Sequence, residues 1–130
     1  MGDFNAKIQE ADNEEEEKWI GPYTFGKGEE TTWEQSEEVE NNREHLLELC
    51  RKFELLLCNT LFHKHPSKLI TWKTMGAKAE DPLDRQHYDQ IDFILIPKRW
   101  RNGIMDAESD LTANIDSDHA PVWVKCKFKF

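Results

Sequence analysis

Residues 42–53 form the one stretch with helical periodicity, and this limits the folds open to the chain. Five apolar side chains recur there at the spacing of a single helix face: Leu46, Leu47, Leu49, Cys50 and Phe53. Asn41, followed three residues later by Glu44, resembles a capping box and predicts where the helix begins. Because one helix covers only part of a sheet face, we expect an α/β fold whose sheet is incompletely covered.

Short apolar runs separated by polar stretches predict strands after this helix. The runs span residues 55–58, 68–72, 91–96, 104–109 and 122–130. The last run alternates apolar and polar residues from Val122 onward, which is typical of a half-buried strand in an antiparallel sheet. Polar and turn-forming residues predict loops over 21–28, 75–89 and 114–120, and a short basic turn or helix over 98–102. The predicted class is α/β, with a largely antiparallel sheet and one main helix.

Size and charge limit the partners of the chain. Its 130 residues, 38% of them hydrophobic, suit one domain over 1–130 that buries a core, and they exclude wholesale disorder. Residues 1–40 carry 13 acidic and 3 basic side chains, whereas residues 41–130 carry 13 and 14. We therefore expect an acidic, loop-rich, solvated insert over about 10–40. The net charge of −9 offers no general attraction for nucleic acid, so any contact with DNA would depend on a local site.

Cysteine usage and hydropathy indicate a cellular compartment. Cys50, Cys58 and Cys126 are an odd number at irregular spacing, which argues against a disulfide framework and for a reducing compartment. Cys58 with His63 and His65 lacks the spacing of paired zinc ligands, so no zinc site is predicted. No apolar run approaches 18 residues, and no charged segment precedes an apolar run at the start. We expect an intracellular protein, nuclear or cytoplasmic, that is neither secreted nor embedded in a membrane.

Three groups of polar residues are candidates for chemistry. Asp92 lies within an apolar strand run, where a buried carboxylate is costly unless paired, although a solvent-facing position near the strand start fits equally well. Asp118 and His119 could form a metal ligand or an oriented acid–base pair, or a surface turn. Asp3 and Asn5 share one face of an extended segment and could orient a water and an anionic oxygen, whereas alone they suit an Asx turn better.

Taken in order, these segments resemble one known superfamily. The matching motifs are Gly2–Ala6 (GDFNA), Thr71–Trp72, Gln90–Leu95 (QIDFIL) and Ser117–His119 (SDH). Together they resemble the C-terminal part of the endonuclease/exonuclease/phosphatase superfamily. Finer details are similar to the endonuclease domains of LINE retrotransposons of the RTE type and to craniofacial development protein 2-like proteins. These details include Lys7–Ile8, Ile20–Gly21, Gly26 with Gly28, and Asn59–Phe62.

The resemblance implies a fold and a reaction. The fold would be the C-terminal half of a two-sheet, DNase I-like α/β sandwich. The reaction would be hydrolysis of a DNA phosphodiester with Mg²⁺ or Mn²⁺ as cofactor, since a metal, an imidazolium and amide donors neutralise charge on the phosphoryl oxygens. The implied catalytic residues are Asp3, Asn5, Asp92 and His119, the metal ligands are Asp3, Asn5 and Asp118, and the supporting or substrate-contacting residues are Thr71 and Ser117. His119 would bind a non-bridging phosphoryl oxygen while Asp92 accepts a hydrogen bond from its other ring nitrogen.

The chain departs from the superfamily pattern in one respect, because residues of the superfamily's N-terminal half, including a metal ligand, are not found in it. The superfamily domain has an N-terminal half with an Asn, a metal-binding Glu and a catalytic Tyr or His, and these have no counterpart here. We therefore expect a fragment of a DNA endonuclease that is inactive alone. The alternatives are an enzyme completed by the missing half or by self-association, a domesticated interaction module without activity, and a phosphatase of the same superfamily.

Overall fold

The computed structural model describes residues 2–3, 7–8, 10–25, 37–73, 88–112 and 118–127, with the backbone alone for 2–3 and 37–40. The helix α1 spans Glu37–Phe53. The strands are β1 (Gly2–Asp3), β2 (Leu55–Leu57), β3 (Trp72–Lys73), β4 (Tyr88–Asp89), β5 (Asp92–Phe93), β6 (Leu95–Pro97), β7 (Ile104–Ser109) and β8 (Val122–Cys126). Short 3₁₀ turns cover Glu16–Lys18, Cys58–Thr60, Pro66–Lys68 and Lys98–Gly103.

The strands pair in four antiparallel ladders. The pairs are β1 with β5, β2 with β6, β3 with β4, and β7 with β8. One main helix with antiparallel strands is the α/β arrangement that the sequence predicts. None of the helices in the described part of the chain is long and apolar enough to span a bilayer.

Helix α1 covers the main core and ends at Phe53 as predicted, but its start and the exposure of its last residue differ from the prediction. The helix begins at Glu37, so Asn41 and Glu44 lie inside it and do not cap its start. Its buried face packs against the segment before the helix and against two strands. This core contains Ile8, Trp19, Ile20, Leu46, Leu47, Cys50, Leu57 and Phe93. The prediction that Phe53 joins this face is wrong, because Phe53 ends the helix and is 56% exposed.

The predicted strands differ most from the observed strands where backbone groups bond to side chains and not to another strand. The strand over 104–109 is confirmed, and so is the basic turn at Lys98–Gly103. The run over 91–96 is interrupted at Ile94, since its N–H donates to the Asn59 side chain at 3.2 Å and not to a neighbouring strand. A single hydrophobic run therefore becomes two short strands, β5 and β6.

Other element boundaries shift for local reasons. The strand over 55–58 ends at Leu57 because Cys58 begins a 3₁₀ turn. The strand over 68–72 is wrong in its first half, since Pro66–Lys68 forms a 3₁₀ turn and β3 begins only at Trp72. Tyr88–Asp89 is a strand and not part of the predicted loop. The last strand ends at Cys126, which is exposed, and the predicted positions 128–130 lie outside the described residues.

The acidic segment is not a uniformly solvated loop. Glu16 is 5% exposed, and its carboxylate accepts hydrogen bonds from the guanidinium of Arg43 on α1. Arg43 also donates to the backbone carbonyl of Ile8 at 3.3 Å. Burial alone raises the pKa of the Glu16 carboxyl, but hydrogen bonds from Arg43 and from the Asp12 N–H outweigh burial, so the pKa lies below its usual value. The insert is thus fixed to the helix at this point.

A loop crosses behind the segment that follows β2. The N–H of Gly21 donates to the hydroxyl of Thr60 at 2.8 Å, and the N–H of Tyr23 donates to the Thr60 carbonyl at 3.0 Å. A Cβ atom at Gly21 would lie 2.2 Å from the Thr60 carbonyl oxygen, so only glycine fits this approach. The contact holds Thr60 in place next to Asn59, whose side chain bonds to Asp92 in β5.

Candidate active site

A histidine and a carboxylate from distant parts of the chain meet at one edge of the fold. Nδ1 of His119 lies 2.7 Å from Oδ2 of Asp92. The Asp92 side chain is 11% exposed and that of His119 is 34% exposed, so solvent reaches the ring more than the carboxylate. Because a carboxylate accepts and does not donate, we assign a proton to Nδ1. The other ring nitrogen, Nε2, then lies on the side of Asp118.

The backbone around Asp92 is held by two buried side chains. The hydroxyl of Thr71 accepts hydrogen bonds from the N–H groups of Ile91 and Asp92, at 2.9 and 3.1 Å. The carboxamide of Asn59 donates to the Asp92 carbonyl at 2.9 Å and accepts from the N–H of Ile94 at 3.2 Å. Buried backbone groups require partners, and these two side chains supply them where no strand does. Asp92 is therefore tolerated in an apolar run because the backbone around it bonds to polar side chains and its carboxylate bonds to His119.

The segment carrying His119 is bonded to the end of the preceding ladder. His119 forms an isolated antiparallel bridge with Trp72. On either side, the N–H of Ala120 donates to the Thr71 carbonyl at 2.7 Å, and the N–H of Lys73 donates to the Asp118 carbonyl at 2.9 Å. Three consecutive residues are thus fixed by the backbone of β3 and its neighbour. The imidazole is positioned by the sheet and not by a free loop.

Asp118 lies next to the imidazole on its exposed side. Its Oδ2 accepts a hydrogen bond from the indole Nε1 of Trp72 at 3.1 Å. Its Oδ1 lies 3.8 Å from Nε2 of His119, and the side chain is 49% exposed. Each ring nitrogen of His119 therefore has a carboxylate near it. The Asp92 carboxylate is buried and bonded to the ring, whereas the Asp118 carboxylate is half exposed and bonded to Trp72.

The remaining predicted site residues have different outcomes. Asp3 lies directly opposite Asp92 in the register of β1 and β5, although its side chain lies outside the described part of the structure. Asn5 and Ser117 lie outside the described residues altogether. Thr71 contacts the backbone of Asp92, as described above. The structure thus brings Asp92, His119, Asp118, Thr71 and the backbone of Asp3 together, while their chemical roles stay predictions.

One side chain at this edge is of a type that binds hard cations. Asp118 offers a half-exposed carboxylate, the ligand type that Mg²⁺ and Mn²⁺ prefer. Within the described ranges, no group of three or more His, Cys, Asp or Glu residues is arranged to hold a metal.

The two histidines near Cys58 have other contacts. The ring of His63 lies against that of Tyr23, with ring centroids 5.1 Å apart, and His65 accepts a hydrogen bond from the N–H of Ser67 at 3.2 Å.

Sequence reasoning missed three polar residues that organise this edge. Asn59 is 2% exposed, whereas the sequence indicates only that it follows a predicted strand. Gln90 is also buried, and its Oε1 accepts from the N–H of Phe25 at 3.0 Å. Lys7 pairs with Asp89 at 3.0 Å, and the carboxylate of Asp89 is 5% exposed. Gln90 begins the motif Gln90–Leu95 and Lys7 follows the first motif, whereas Asn59 follows a predicted strand, where Asn is ordinary and gives no such signal.

Comparison with known proteins gives a relative for this chain. Residues of the chain are 32% identical to craniofacial development protein 2 from Bos taurus over 84 residues, which cover 65% of this chain and 13% of the relative. The chain is similar to craniofacial development protein 2. The protein of that name from Tragulus javanicus is 30% identical over the same length and coverage. No family model matches the chain, and no solved structure matches it. The matched segment thus spans about an eighth of the length of these relatives.

Proposed function

We propose that this chain provides the histidine–carboxylate part of a divalent-metal-dependent phosphodiesterase site that acts on DNA, as an endonuclease of the retrotransposon type does. The observation that carries the proposal is the 2.7 Å contact between His119 Nδ1 and the Asp92 carboxylate, with Asp118 beside Nε2. The similarity to craniofacial development protein 2 and the motif order described above support it. The proposal places the reaction at the exposed edge formed by these three residues.

The protein groups can bind a phosphodiester in a defined way. With Nδ1 held by Asp92, an imidazolium would carry its second N–H on Nε2, and this group would donate to a non-bridging phosphoryl oxygen. The two carboxylates near the ring stabilise its positive charge. Asp92 also fixes the orientation of the ring, because it is itself held by Thr71 and Asn59 through the backbone.

The metal would be Mg²⁺ or Mn²⁺, held by Asp118 and, as the motif resemblance suggests, by Asp3 and Asn5. When bound, such an ion supplies charge neutralisation for the phosphoryl oxygens and a more acidic water. Mg²⁺ commonly uses one or two protein carboxylates together with waters and substrate phosphates, so a small carboxylate set fits. A further ligand is proposed to come from a second polypeptide segment, either an N-terminal half or a second copy.

Paramagnetic broadening by Mn²⁺ tests the metal part of this proposal. Titration should broaden the backbone NMR signals of Asp118 and His119 first, and Asp118→Asn should abolish that broadening. Glu48→Gln, an exposed carboxylate on α1, is the matched control and should leave the broadening unchanged. Broadening that ignores Asp118→Asn, or that is centred on the acidic insert, would contradict the proposal.

A plasmid assay distinguishes the two forms of the enzyme hypothesis. Supercoiled DNA is incubated with the chain and Mg²⁺ at low salt, because the net charge of −9 weakens DNA binding. Nicking that is lost in both Asp118→Asn and His119→Asn would mean that the chain is self-sufficient. Nicking no greater than in these variants is what we expect if a second segment must complete the site.

A further inference from the structure

A cavity of about 330 Å³ lies between the turn at Pro66–Lys68 and the end of the β7–β8 ladder. Its volume is at the lower end of the range for small-ligand sites. Four of the side chains that line it carry the argument below: Lys68, Glu108, Ser109 and Trp123. We propose that this cavity binds one unpaired nucleobase that has an N–H donor edge, with guanine as the best fit.

The polar wall of the cavity contains two buried atoms that make no hydrogen bond within the described part of the chain. Ser109 is 3% exposed, and within the described part of the chain its hydroxyl makes no hydrogen bond. Oε2 of Glu108 is also buried and accepts no hydrogen bond there. Nζ of Lys68 lies 3.1 Å from this oxygen and forms an ion pair with it. Buried polar atoms are almost always bonded, so these atoms point to a ligand that donates N–H groups.

An aromatic side chain stands beside the carboxylate. Trp123 is the cross-strand partner of Glu108 in the register of β7 and β8, and directly opposite residues share one face of the ladder. The indole is 40% exposed, so a planar ligand can reach it. Stacking on an aromatic ring together with hydrogen bonds to a carboxylate is how proteins bind unstacked bases. Guanine fits best because two adjacent N–H groups on its edge match one carboxylate.

The charges in the cavity favour a neutral ligand. The ammonium of Lys68 opposes a cationic ligand such as a guanidinium. Glu108 and Asp110 together oppose a free phosphate, although Asp110 already accepts hydrogen bonds from the N–H and hydroxyl of Thr112, at 2.9 and 2.6 Å. A neutral base avoids both penalties. Lys68, 53% exposed, can still approach the phosphate that follows such a base.

The position of the cavity relates it to the phosphodiester site, and in this respect the inference rests on the proposed function. Lys68 precedes Trp72 by four residues, and Trp123 follows His119 by four. Four residues span at most about 14 Å. Since one DNA strand rises about 3.4 Å per nucleotide, the cavity and His119 are within about four nucleotides of each other. We infer that the cavity selects a base near the scissile bond.

The test uses fluorescent DNA hairpins that differ in one unpaired nucleotide: guanine, cytosine, adenine, thymine or an abasic site. Anisotropy is measured in EDTA at low salt, so that neither metal nor cleavage contributes. Guanine should bind about tenfold more tightly than thymine, and Glu108→Gln should reduce this preference to about twofold. Trp123→Ala should bring every hairpin to the affinity of the abasic one. Glu48→Gln and Trp100→Ala, at exposed positions elsewhere, are the matched controls and should change neither result.

The outcomes separate this inference from the proposed function. Equal affinities for all five hairpins, or an unchanged preference in Glu108→Gln, would overturn the nucleobase site. Stronger competition by arginine methyl ester than by guanosine would overturn it in favour of a guanidinium ligand. Asp118→Asn should keep the base preference, because it lies outside the cavity. A preserved preference without Mn²⁺ binding at Asp118 would therefore contradict the proposed function alone.

Discussion

At the scale of single residues, Asn59 stabilises the backbone on both sides of the site through its side chain. Its side chain bonds the carbonyl of Asp92 and the N–H of Ile94, on either side of Phe93. Asn59→Ala would leave both buried groups without a partner, and we expect the free energy of unfolding to fall by about 2–3 kcal/mol. Urea denaturation measures this value. Asn102→Ala, at an exposed position, should change it by less than about 0.5 kcal/mol. Equal losses in the two variants would contradict the role given to Asn59.

Residues that violate local patterns could be found from the sequence, and residues that obey them could not. Asp92 stands out because carboxylates are rare inside apolar strands, and the structure gives it a histidine partner. Asn59 follows a strand, where Asn is ordinary, so nothing in the sequence indicated that it is buried. Glu16 was hidden for the opposite reason, since one buried glutamate looks like its three acidic neighbours.

At the scale of elements, the contact between Glu16 and α1 makes stability depend on pH. The pKa of the Glu16 carboxyl is lowered in the folded chain, so its contribution is present at neutral pH and is lost as pH falls through the folded pKa. We expect Glu16→Gln to reduce the free energy of unfolding by about 1.5 kcal/mol at pH 7, the size of a hydrogen bond to a charged group. The difference from the wild type should shrink below about pH 4.3, where unfolded glutamate is protonated.

Denaturation of both proteins at several pH values checks this dependence. Glu17→Gln, at an exposed neighbouring position, is the control and should show no such trend. A difference for Glu16→Gln that stays constant from pH 7 to pH 3 would rule out the ion pair with Arg43 as its cause.

Element types were easier to predict than element boundaries. The strand over 104–109 pairs with β8 along its length apart from a register shift between Ile104 and Asp106, so its hydrophobic pattern and its hydrogen bonding largely agree. The run over 91–96 was predicted as one strand, but the side chain of Asn59 replaces a strand partner at Ile94. The capping pattern at Asn41 predicts the helix start there, whereas α1 begins at Glu37. Local patterns do not contain these long-range contacts.

At the scale of the whole molecule, the candidate site is assembled from segments far apart in the sequence. His119 reaches Asp92 across 27 residues, and Asn59 reaches the Asp92 carbonyl across 33. The order of the motifs predicts that these residues belong together, but only the fold gives their distances. The account therefore depends on the pair acting as one unit toward a phosphodiester.

The most direct test is a double-mutant cycle on DNA binding in Mg²⁺, with binding in EDTA subtracted. Asp92→Asn and His119→Asn should each weaken the Mg²⁺-dependent affinity for duplex DNA about tenfold, as loss of a hydrogen bond to a charged group does. His45→Asn, an exposed histidine on α1, should leave the affinity unchanged. If Asp92 acts through His119, the double variant should bind no more weakly than the weaker single variant. Unchanged affinities, or losses that add to about a hundredfold, would contradict the account.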